Sequence, residues 1–240
     1  MDLKGKVAVV TGGNSGIGKA LSLRLAEAGV KVALFARNEE RLLSVKRSIE
    51  ESGGEAFAVK TDVSDENNVK ESIERTVQNL QRIDILVSNA GLGIFKQVDK
   101  MSFDEWKKQL TVMLDGAFLM SRYALPHIYK QKQGHVFAIT SLWAKRFCAE
   151  CAGYTASKFG IRGFLQSLRE EARGHNVKVT NIMPGTEDTP FFDKTDYAED
   201  ADLSKALQAD DIAETVLYAL RLPDRAVAEE IVLQALKPLY

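Results

Sequence analysis

Cysteine is scarce in this chain, which has only Cys148 and Cys151 among its 240 residues. Two cysteines cannot form the disulfide framework of a small secreted domain, and such scarcity is typical of a reducing cytoplasm. The C-x-x-C spacing also allows a redox pair or half of a zinc site. No second cysteine pair completes four zinc ligands, and the three histidines are scattered. We therefore interpret both cysteines as small apolar residues and predict no metal site.

Long apolar runs and an excess of charge of one sign are also missing. No apolar stretch approaches the ~20 residues of a membrane span, and the start of the chain shows no signal-peptide pattern. The formal net charge is −1, so there is no basic surface for nucleic acid or an anionic membrane. The sequence predicts a cytoplasmic protein that acts on a small molecule, with no nucleic-acid or membrane partner.

Short apolar runs do alternate regularly with segments of helical periodicity. We predict strands at 7–10, 30–35, 56–60, 83–88, 136–140, 177–183 and 230–233, separated by helices that include 39–52, 65–80, 103–130, 152–173 and 210–220. Such alternation indicates right-handed crossovers and a parallel sheet covered by helices on both faces. No repeat or linker interrupts it, so we expect one α/β domain over 1–240 with ligands at the carboxyl ends of the strands.

A glycine-rich turn joins the first strand to the first helix. It reads Thr11-Gly12-Gly13-Asn14-Ser15-Gly16-Ile17-Gly18. Exposed N–H groups at a helix N-terminus bind phosphate oxygens, and glycines let the ligand approach the backbone closely. Gly13 to Lys19 also matches most of a P-loop, but Ala20 stands where that motif needs a Mg²⁺-binding hydroxyl. The turn therefore favours a dinucleotide.

Arg37 lies at the position, after the second predicted strand, whose residue type indicates whether such a site binds NAD or NADP. An NAD site places a carboxylate after the second strand, where it accepts a hydrogen bond from a ribose hydroxyl. The sequence there is Ala36-Arg37-Asn38, which has no carboxylate. An arginine suits a 2′-phosphate, so NADP is predicted. The alternative is that Arg37 is a surface arginine at the start of the next helix.

Tyr154 and Lys158 are four residues apart in a segment with helical periodicity. On a helix these two side chains lie on the same face. A nearby cation favours the phenolate and lowers a tyrosine pKa from its usual ~10 toward the range useful in acid–base catalysis. Alone, the spacing also fits a half-exposed tyrosine and a solvated lysine on an ordinary amphipathic helix.

With these motifs in this order, the chain resembles the short-chain dehydrogenase/reductase family from Lys6 to about Leu233. The resemblance rests on T-G-x-x-x-G-x-G from Thr11 to Gly18, Asp62, N-A-G from Asn89 to Gly91, Ser141, Y-x-x-x-K at Tyr154 and Lys158, and P-G at Pro184 and Gly185. It implies a Rossmann-type, doubly wound sheet of seven parallel strands in the order 3-2-1-4-5-6-7. It also implies catalysis of hydride transfer between a nicotinamide and a carbonyl or alcohol.

The resemblance implies roles for individual residues. Ser141 would hydrogen-bond the substrate oxygen, Tyr154 would exchange the proton, and Lys158 would lower the tyrosine pKa and hold the nicotinamide ribose. Substrate would meet Ser141 and Tyr154, with Trp143, Phe147 and Phe191 as candidates for an apolar pocket. The expected cofactor-binding residues are Thr11, Gly12, Asn14, Ser15, Gly16, Ile17, Gly18, Arg37, Asn38, Asp62, Val63, Asn89, Ala90, Gly91, Tyr154, Lys158, Pro184, Gly185 and Thr189.

One position departs from the family pattern. Met113 stands where the family usually has an asparagine that helps hold a proton-relay water, and a thioether cannot donate a hydrogen bond. The relay could be bypassed, the substrate could do without it, or the protein could bind NADP without turnover, as a sensor or partner protein. We further expect residues 186–205 to form a loop that closes over the substrate. The helices that begin near Phe103 and Ala152 would mediate a homodimer or homotetramer.

Overall fold

The structure is a computed structural model that describes residues 1–189, 191 and 203–237. Its centre is a seven-stranded parallel sheet in the order β3-β2-β1-β4-β5-β6-β9. The strands are β1 Val7–Thr11, β2 Lys31–Ala36, β3 Ala56–Lys60, β4 Ile85–Ser88, β5 Gly134–Ile139, β6 Val177–Pro184 and β9 Glu230–Leu233. The predicted fold class and strand order are confirmed. The edge strand is β9 because two short strands, β7 Glu187–Asp188 and β8 Leu207–Gln208, precede it and pair with each other.

Helices cover both faces of the sheet because each has one apolar side. They are α1 Gly16–Glu27, α2 Glu39–Glu51, α3 Glu66–Leu80, α4 Phe103–Leu110, α5 Gly116–Lys130, α6 Ala152–Arg173 and α7 Ala209–Arg221. Buried residues of α3, α5 and α6 pack on one face of the sheet. Those of α1, α2 and α7 pack on the other. The inner strands β1, β2, β4, β5 and β6 are almost fully buried between these layers, as expected for a parallel sheet covered on both sides, whereas the edge strands β3 and β9 are more exposed.

The helix predicted over 103–130 is interrupted. Thr111–Asp115 forms a π-helical turn between α4 and α5. Gly116 follows this turn at a close contact, since a Cβ built on it would lie 3.1 Å from the Val63 side chain. The buried Met113 lies within this widened turn. The 3.6-residue periodicity of the apolar positions could not predict such a turn.

The two cysteines are joined by a disulfide, which corrects their interpretation as two small apolar residues. Glu150 between them has a left-handed φ of 64°. The resulting turn brings the Cα atoms of Cys148 and Cys151 to 5.6 Å, within the usual range for a disulfide. Cys151 is the N-cap residue of α6, so the bond ties the loop after β5 to the start of that helix.

The segment expected to cover the substrate lies mostly outside the described residues. Within it the structure describes β7, Thr189, Phe191 and a 3₁₀ helix at Leu203–Lys205. The predicted closure over a substrate therefore stays a prediction. Within the described ranges, no helix combines the length and the hydropathy that a membrane span requires.

Candidate active site

A cavity of about 1060 Å³ lies at the carboxyl edge of the sheet. Residues that follow six different strands reach its wall, because parallel strands all end at the same edge. They are Gly12, Arg37, Asp62, Asn89, Ser141 and Gly185. Most of the candidate residues line this cavity, which has the location expected of a ligand site in an open α/β sheet.

The glycine-rich turn is shaped to receive an anion. Gly12 and Gly16 adopt positive φ values of 68° and 50°, which favour glycine. Ser15 is the N-cap residue of α1, and its side chain makes no capping hydrogen bond. The first-turn N–H groups of α1 therefore remain available to a phosphate beside the cavity. The turn fits the pyrophosphate of a dinucleotide.

Three predicted cofactor-binding residues, Thr11, Gly18 and Pro184, do not line this cavity, which corrects their direct role. The Thr11 hydroxyl instead accepts hydrogen bonds from the N–H groups of Asn89 and Ala90, both at 2.9 Å. A Cβ on Gly18 would lie 2.2 Å from the Gly12 carbonyl oxygen, so glycine there permits close packing of α1. Thr11 and Gly18 thus act indirectly, by fixing the turns that do line the cavity.

Two arginines stand at one end of the cavity. Arg37 follows β2, and Arg41 lies four residues later in α2, where Ser44 also reaches the wall. Neither guanidinium forms an ion pair with a carboxylate among the residues described. The sequence reasoning identified Arg37 but missed Arg41 and Ser44, although their spacing along α2 was a usable signal.

Asp62 lies at the same end of the cavity. Burial raises the pKa of its carboxyl, but hydrogen bonds from Ser64 and the charge of Arg37 outweigh this effect, so the pKa lies below its usual value. Asp62 therefore stays ionised at neutral pH. The charges of Asp62 and Arg37 attract each other across this end of the cavity, although the two residues form no direct ion pair.

The three predicted catalytic residues meet in the middle of the cavity wall. Tyr154 and Lys158 are buried on α6, and Ser141 lies just after β5. The Ser141 hydroxyl accepts a hydrogen bond from the N–H of Trp143 at 3.2 Å, which fixes its position. The Lys158 ammonium donates to the carbonyl oxygen of Ile139 at 3.1 Å and lies 5.3 Å from the centroid of the Tyr154 ring.

The pKa values of this site correct one expectation. Burial raises the pKa of Tyr154, the charge of Glu187 raises it further, and a hydrogen bond with Ser141 opposes both effects. Burial lowers the pKa of Lys158 to about 8, while Glu187 opposes that shift. The pKa of the Tyr154 phenol therefore lies above its usual value although the Lys158 ammonium faces the ring. Desolvation of the phenolate has a larger effect than the cation that faces the ring.

Aromatic rings surround Tyr154. The ring centroids of Phe95, Trp143 and Phe191 lie 5.7, 5.8 and 5.8 Å from that of Tyr154. Trp143 and Phe191 line the cavity, as predicted, whereas Phe95 was not foreseen and packs beside them. Phe147 is 85% exposed and does not line the cavity, so the substrate contact predicted for it is not supported.

Glu187 is a further charged residue of the cavity wall, and the sequence reasoning gave its side chain no role. Burial raises its pKa to about 7, although the charge of Lys158 opposes this effect. Met113, in contrast, lines a separate small cavity beneath the wall together with Ser88 and Lys158. The Ser88 hydroxyl is buried there without a hydrogen-bond partner among the described residues.

Comparison with known proteins agrees with this architecture. The family model described as short chain dehydrogenase matches residues 6–200. An uncharacterized oxidoreductase of Staphylococcus epidermidis is 32% identical over 97% of this chain and 98% of its own length. An alcohol dehydrogenase from the archaeon Thermococcus sibiricus, solved in complex with 5-hydroxy-NADP, superposes with a TM-score of 0.88 at 30% identity, covering 98% of this chain and 99% of that one. A metagenomic short-chain oxidoreductase in complex with NADP gives 0.85 at 34% identity, covering 97% and 98%.

The fold is thus that of Rossmann-type oxidoreductases. Within that class, the chain belongs to the short-chain dehydrogenase family.

Proposed function

We propose that the protein is an NADP(H)-dependent reductase or dehydrogenase that interconverts a ketone or aldehyde and the corresponding alcohol. The observation that carries this proposal is a single cavity whose wall includes the anion-binding turn, Ser141, Tyr154 and Lys158. A dinucleotide held at the turn would extend toward the buried phenol along the sheet edge. A hydrogen-bonding hydroxyl, a proton donor and a cation are then present where a reacting oxygen would lie.

The choice of NADP rests on Arg37 and Arg41. Both reach the end of the cavity that follows β2, where a dinucleotide carries its adenosine ribose. Two guanidinium groups can hold a 2′-phosphate by charge-assisted hydrogen bonds. The two structural neighbours that contain NADP or 5-hydroxy-NADP support the same assignment by similarity.

The chain's own residues perform the proton chemistry and the positioning. The bound nicotinamide supplies or accepts the hydride. Ser141 orients the substrate oxygen by a hydrogen bond, and Tyr154 gives its phenolic proton to that oxygen during reduction. Lys158 keeps a positive charge beside the phenol and stabilises the phenolate that remains. Because the pKa of Tyr154 is raised, the phenol is fully protonated at neutral pH, which suits a general acid.

The wall around Tyr154 favours an apolar substrate. Trp143 and Phe191 border the proton donor, and Phe95 packs edge-on against Trp143. Flat aromatic side chains stack well against ring-bearing or branched hydrocarbon groups. We propose a carbonyl compound with a hydrophobic body rather than a highly polar sugar.

A homodimer or homotetramer through α5 and α6 is part of the proposal. Phe118 on α5 and Phe159 on α6 are 45% and 40% exposed, and Phe118 stacks edge-on against Phe164 at 6.1 Å. Large apolar side chains exposed together on two long helices are typical of an interface. The assembly can be measured by light scattering, with Phe118→Glu expected to dissociate it.

A panel of ketones and aldehydes, followed at the NADPH absorbance band, tests the catalytic function. We expect turnover by the unmodified protein and a loss of about 10³-fold in Tyr154→Phe, since a positioned general acid contributes 10²–10⁴-fold. NADPH binding should remain unchanged in this variant. Cofactor binding without turnover across the whole panel would favour the alternative of a non-catalytic NADP-binding sensor or partner protein.

A further inference from the structure

Glu187 is a carboxylate in the wall of the cavity to which the proposed mechanism gives no role. It belongs to β7, the two-residue strand that pairs in parallel with β8 just past the end of β6. Residues along a strand point alternately to opposite sides. Glu187 accordingly reaches the cavity, Asp188 is exposed, and Thr189 is buried beside Gly16 of the anion-binding turn.

The charges around Glu187 come mainly from α6. The charge of Glu187 raises the pKa of Tyr154 and opposes the lowering of the pKa of Lys158. The charge of Lys158, in turn, opposes the rise in the pKa of Glu187. Lys205 lies on the 3₁₀ helix that packs against β7, whereas β8 brings no titratable side chain. Glu187 forms no ion pair with a described residue. Its carboxylate accepts a hydrogen bond from its own backbone N–H and lines the cavity.

We propose that Glu187 sets the charge of the nicotinamide end of the cavity, so that the protein binds NADP⁺ more tightly than NADPH and favours carbonyl reduction. This inference rests on the proposed function. The carboxylate would act at a distance on the nicotinamide ring and on Tyr154, as a positioning charge rather than as a group that exchanges protons with the substrate.

The physical reason is the change of charge during the reaction. Reduction transfers a hydride to the carbonyl carbon and the Tyr154 proton to its oxygen, and it converts a neutral dihydronicotinamide into a cationic ring. A carboxylate near that ring stabilises only the oxidised form. The same charge disfavours the Tyr154 phenolate, so the phenol keeps its proton before reduction. The effect on the ring favours bound NADP⁺ and alcohol over bound NADPH and ketone, whereas the effect on Tyr154 keeps the general acid protonated but opposes the loss of its proton.

The pKa of Glu187, raised to about 7 by burial, adds a pH signature. A cationic ring favours the ionised carboxylate, so NADP⁺ binding should lower this pKa and release a proton. The affinity for NADP⁺ should therefore increase as the pH rises from 6 to 8. NADPH carries the same phosphates but a neutral ring, so it controls for the titration of the 2′-phosphate that Arg37 and Arg41 would bind.

The experiment measures the dissociation constants of NADP⁺ and NADPH at pH 6, 7 and 8, without substrate, by calorimetry in two buffers of different ionisation enthalpy. For the unmodified protein we expect the ratio of the NADP⁺ constant to the NADPH constant to fall about tenfold over this range, since one pKa unit of coupling corresponds to a factor of ten. Proton release should accompany NADP⁺ binding.

Three variants separate the charge from other effects. Glu187→Gln should raise the ratio at pH 8 about tenfold and remove its pH dependence. Glu187→Asp keeps the charge and should retain the pH dependence. Asp188→Asn removes the same charge from the exposed neighbour and should behave as the unmodified protein does.

An equal ratio in the unmodified protein and in Glu187→Gln, with both cofactors still bound, would overturn this inference and leave the proposed function intact. An equally large effect of Asp188→Asn would also overturn it, because a general surface potential would then be responsible. Failure of both cofactors to bind the unmodified protein would overturn the proposed function and this inference together.

Discussion

The ammonium group of Lys158 lies 5.3 Å from the centroid of the Tyr154 ring and is held there by a hydrogen bond to the carbonyl oxygen of Ile139. The cation therefore faces the ring, anchored to the end of β5. Helical spacing alone brings the two residues to one face of α6, but the hydrogen bond to the end of β5 fixes the direction of the amine. Because this amine is buried, its pKa is lowered, and the resulting loss of its charge can be measured as a function of pH.

The first prediction concerns the pH dependence of NADPH use. Burial lowers the pKa of Lys158 to about 8, so the free protein loses this cation as the pH rises through that value. Because kcat/KM reports the ionisations of the free enzyme, its value for NADPH should fall about tenfold per pH unit well above 8. Steady-state rates between pH 6 and 10 provide the measurement.

Lys158→Arg is the matched control for that profile. An arginine remains charged throughout this range, so the decline above pH 8 should disappear even if the rate at pH 7 is lower. An identical decline in the unmodified protein and in the Lys158→Arg variant would assign the titration to another group.

The second prediction concerns cofactor choice. Arg37→Ala should weaken NADPH binding by about 10–100-fold, because a charged hydrogen bond contributes about 1.5–3 kcal/mol. NADH lacks the 2′-phosphate, so its affinity should hardly change. Arg41→Ala should show the same selectivity with a smaller loss, and fluorescence titration of both cofactors measures each effect. Tighter binding of NADH than of NADPH by the unmodified protein would contradict the assignment.

The residues at the carboxyl edge of the sheet could be predicted from the sequence, because their position depends only on where each apolar strand ends. Buried parallel strands appear as continuous apolar runs, and each polar residue that follows such a run must lie at the same edge. Arg37, Asp62, Asn89 and Ser141 were located in this way, and all four line the cavity. The strand order itself came from the family resemblance, since local periodicity does not determine which strands are neighbours.

The remaining features depend on contacts between distant segments. Glu187 reaches the cavity because β7 pairs with β8, about twenty residues later in the chain. The direction of the pKa shift of Tyr154 depends on how completely the surrounding aromatic rings bury the phenol. Phe147, which directly precedes the disulfide-bonded Cys148, is exposed, although it is only four residues from Trp143. No pattern within a single element reports these facts.

The third prediction compares these two aromatic residues of the loop. Trp143→Ala removes a ring that borders Tyr154 and lines the cavity, so it should raise KM for apolar carbonyl substrates about tenfold or more. Phe147→Ala removes an exposed ring from the same loop and should leave kcat and KM unchanged within about twofold. Kinetics on one apolar and one small polar ketone would measure the difference. Equal effects of the two substitutions would contradict the proposed pocket.

The fourth prediction concerns Met113, which lines the small cavity beneath the active site together with Ser88 and Lys158. A thioether cannot donate a hydrogen bond, and the buried Ser88 hydroxyl has no partner among the described residues. Met113→Asn places an amide in the small cavity that Ser88 and Lys158 also line, where the amide can hold a water. We expect kcat for carbonyl reduction to rise about tenfold, within the contribution of a positioned proton-transfer group.

Met113→Leu provides the control, because it fills similar space without a polar group and should leave kcat unchanged. The asparagine variant is expected to cost about 1–3 kcal/mol of unfolding free energy if its amide remains incompletely paired, so thermal melts must accompany the kinetics. Equal kcat values for the Asn and Leu variants would show that proton transfer through Tyr154 and Lys158 bypasses this position. A gain restricted to the Asn variant would show that Met113 limits the rate, since the two substitutions differ in hydrogen bonding and little in volume.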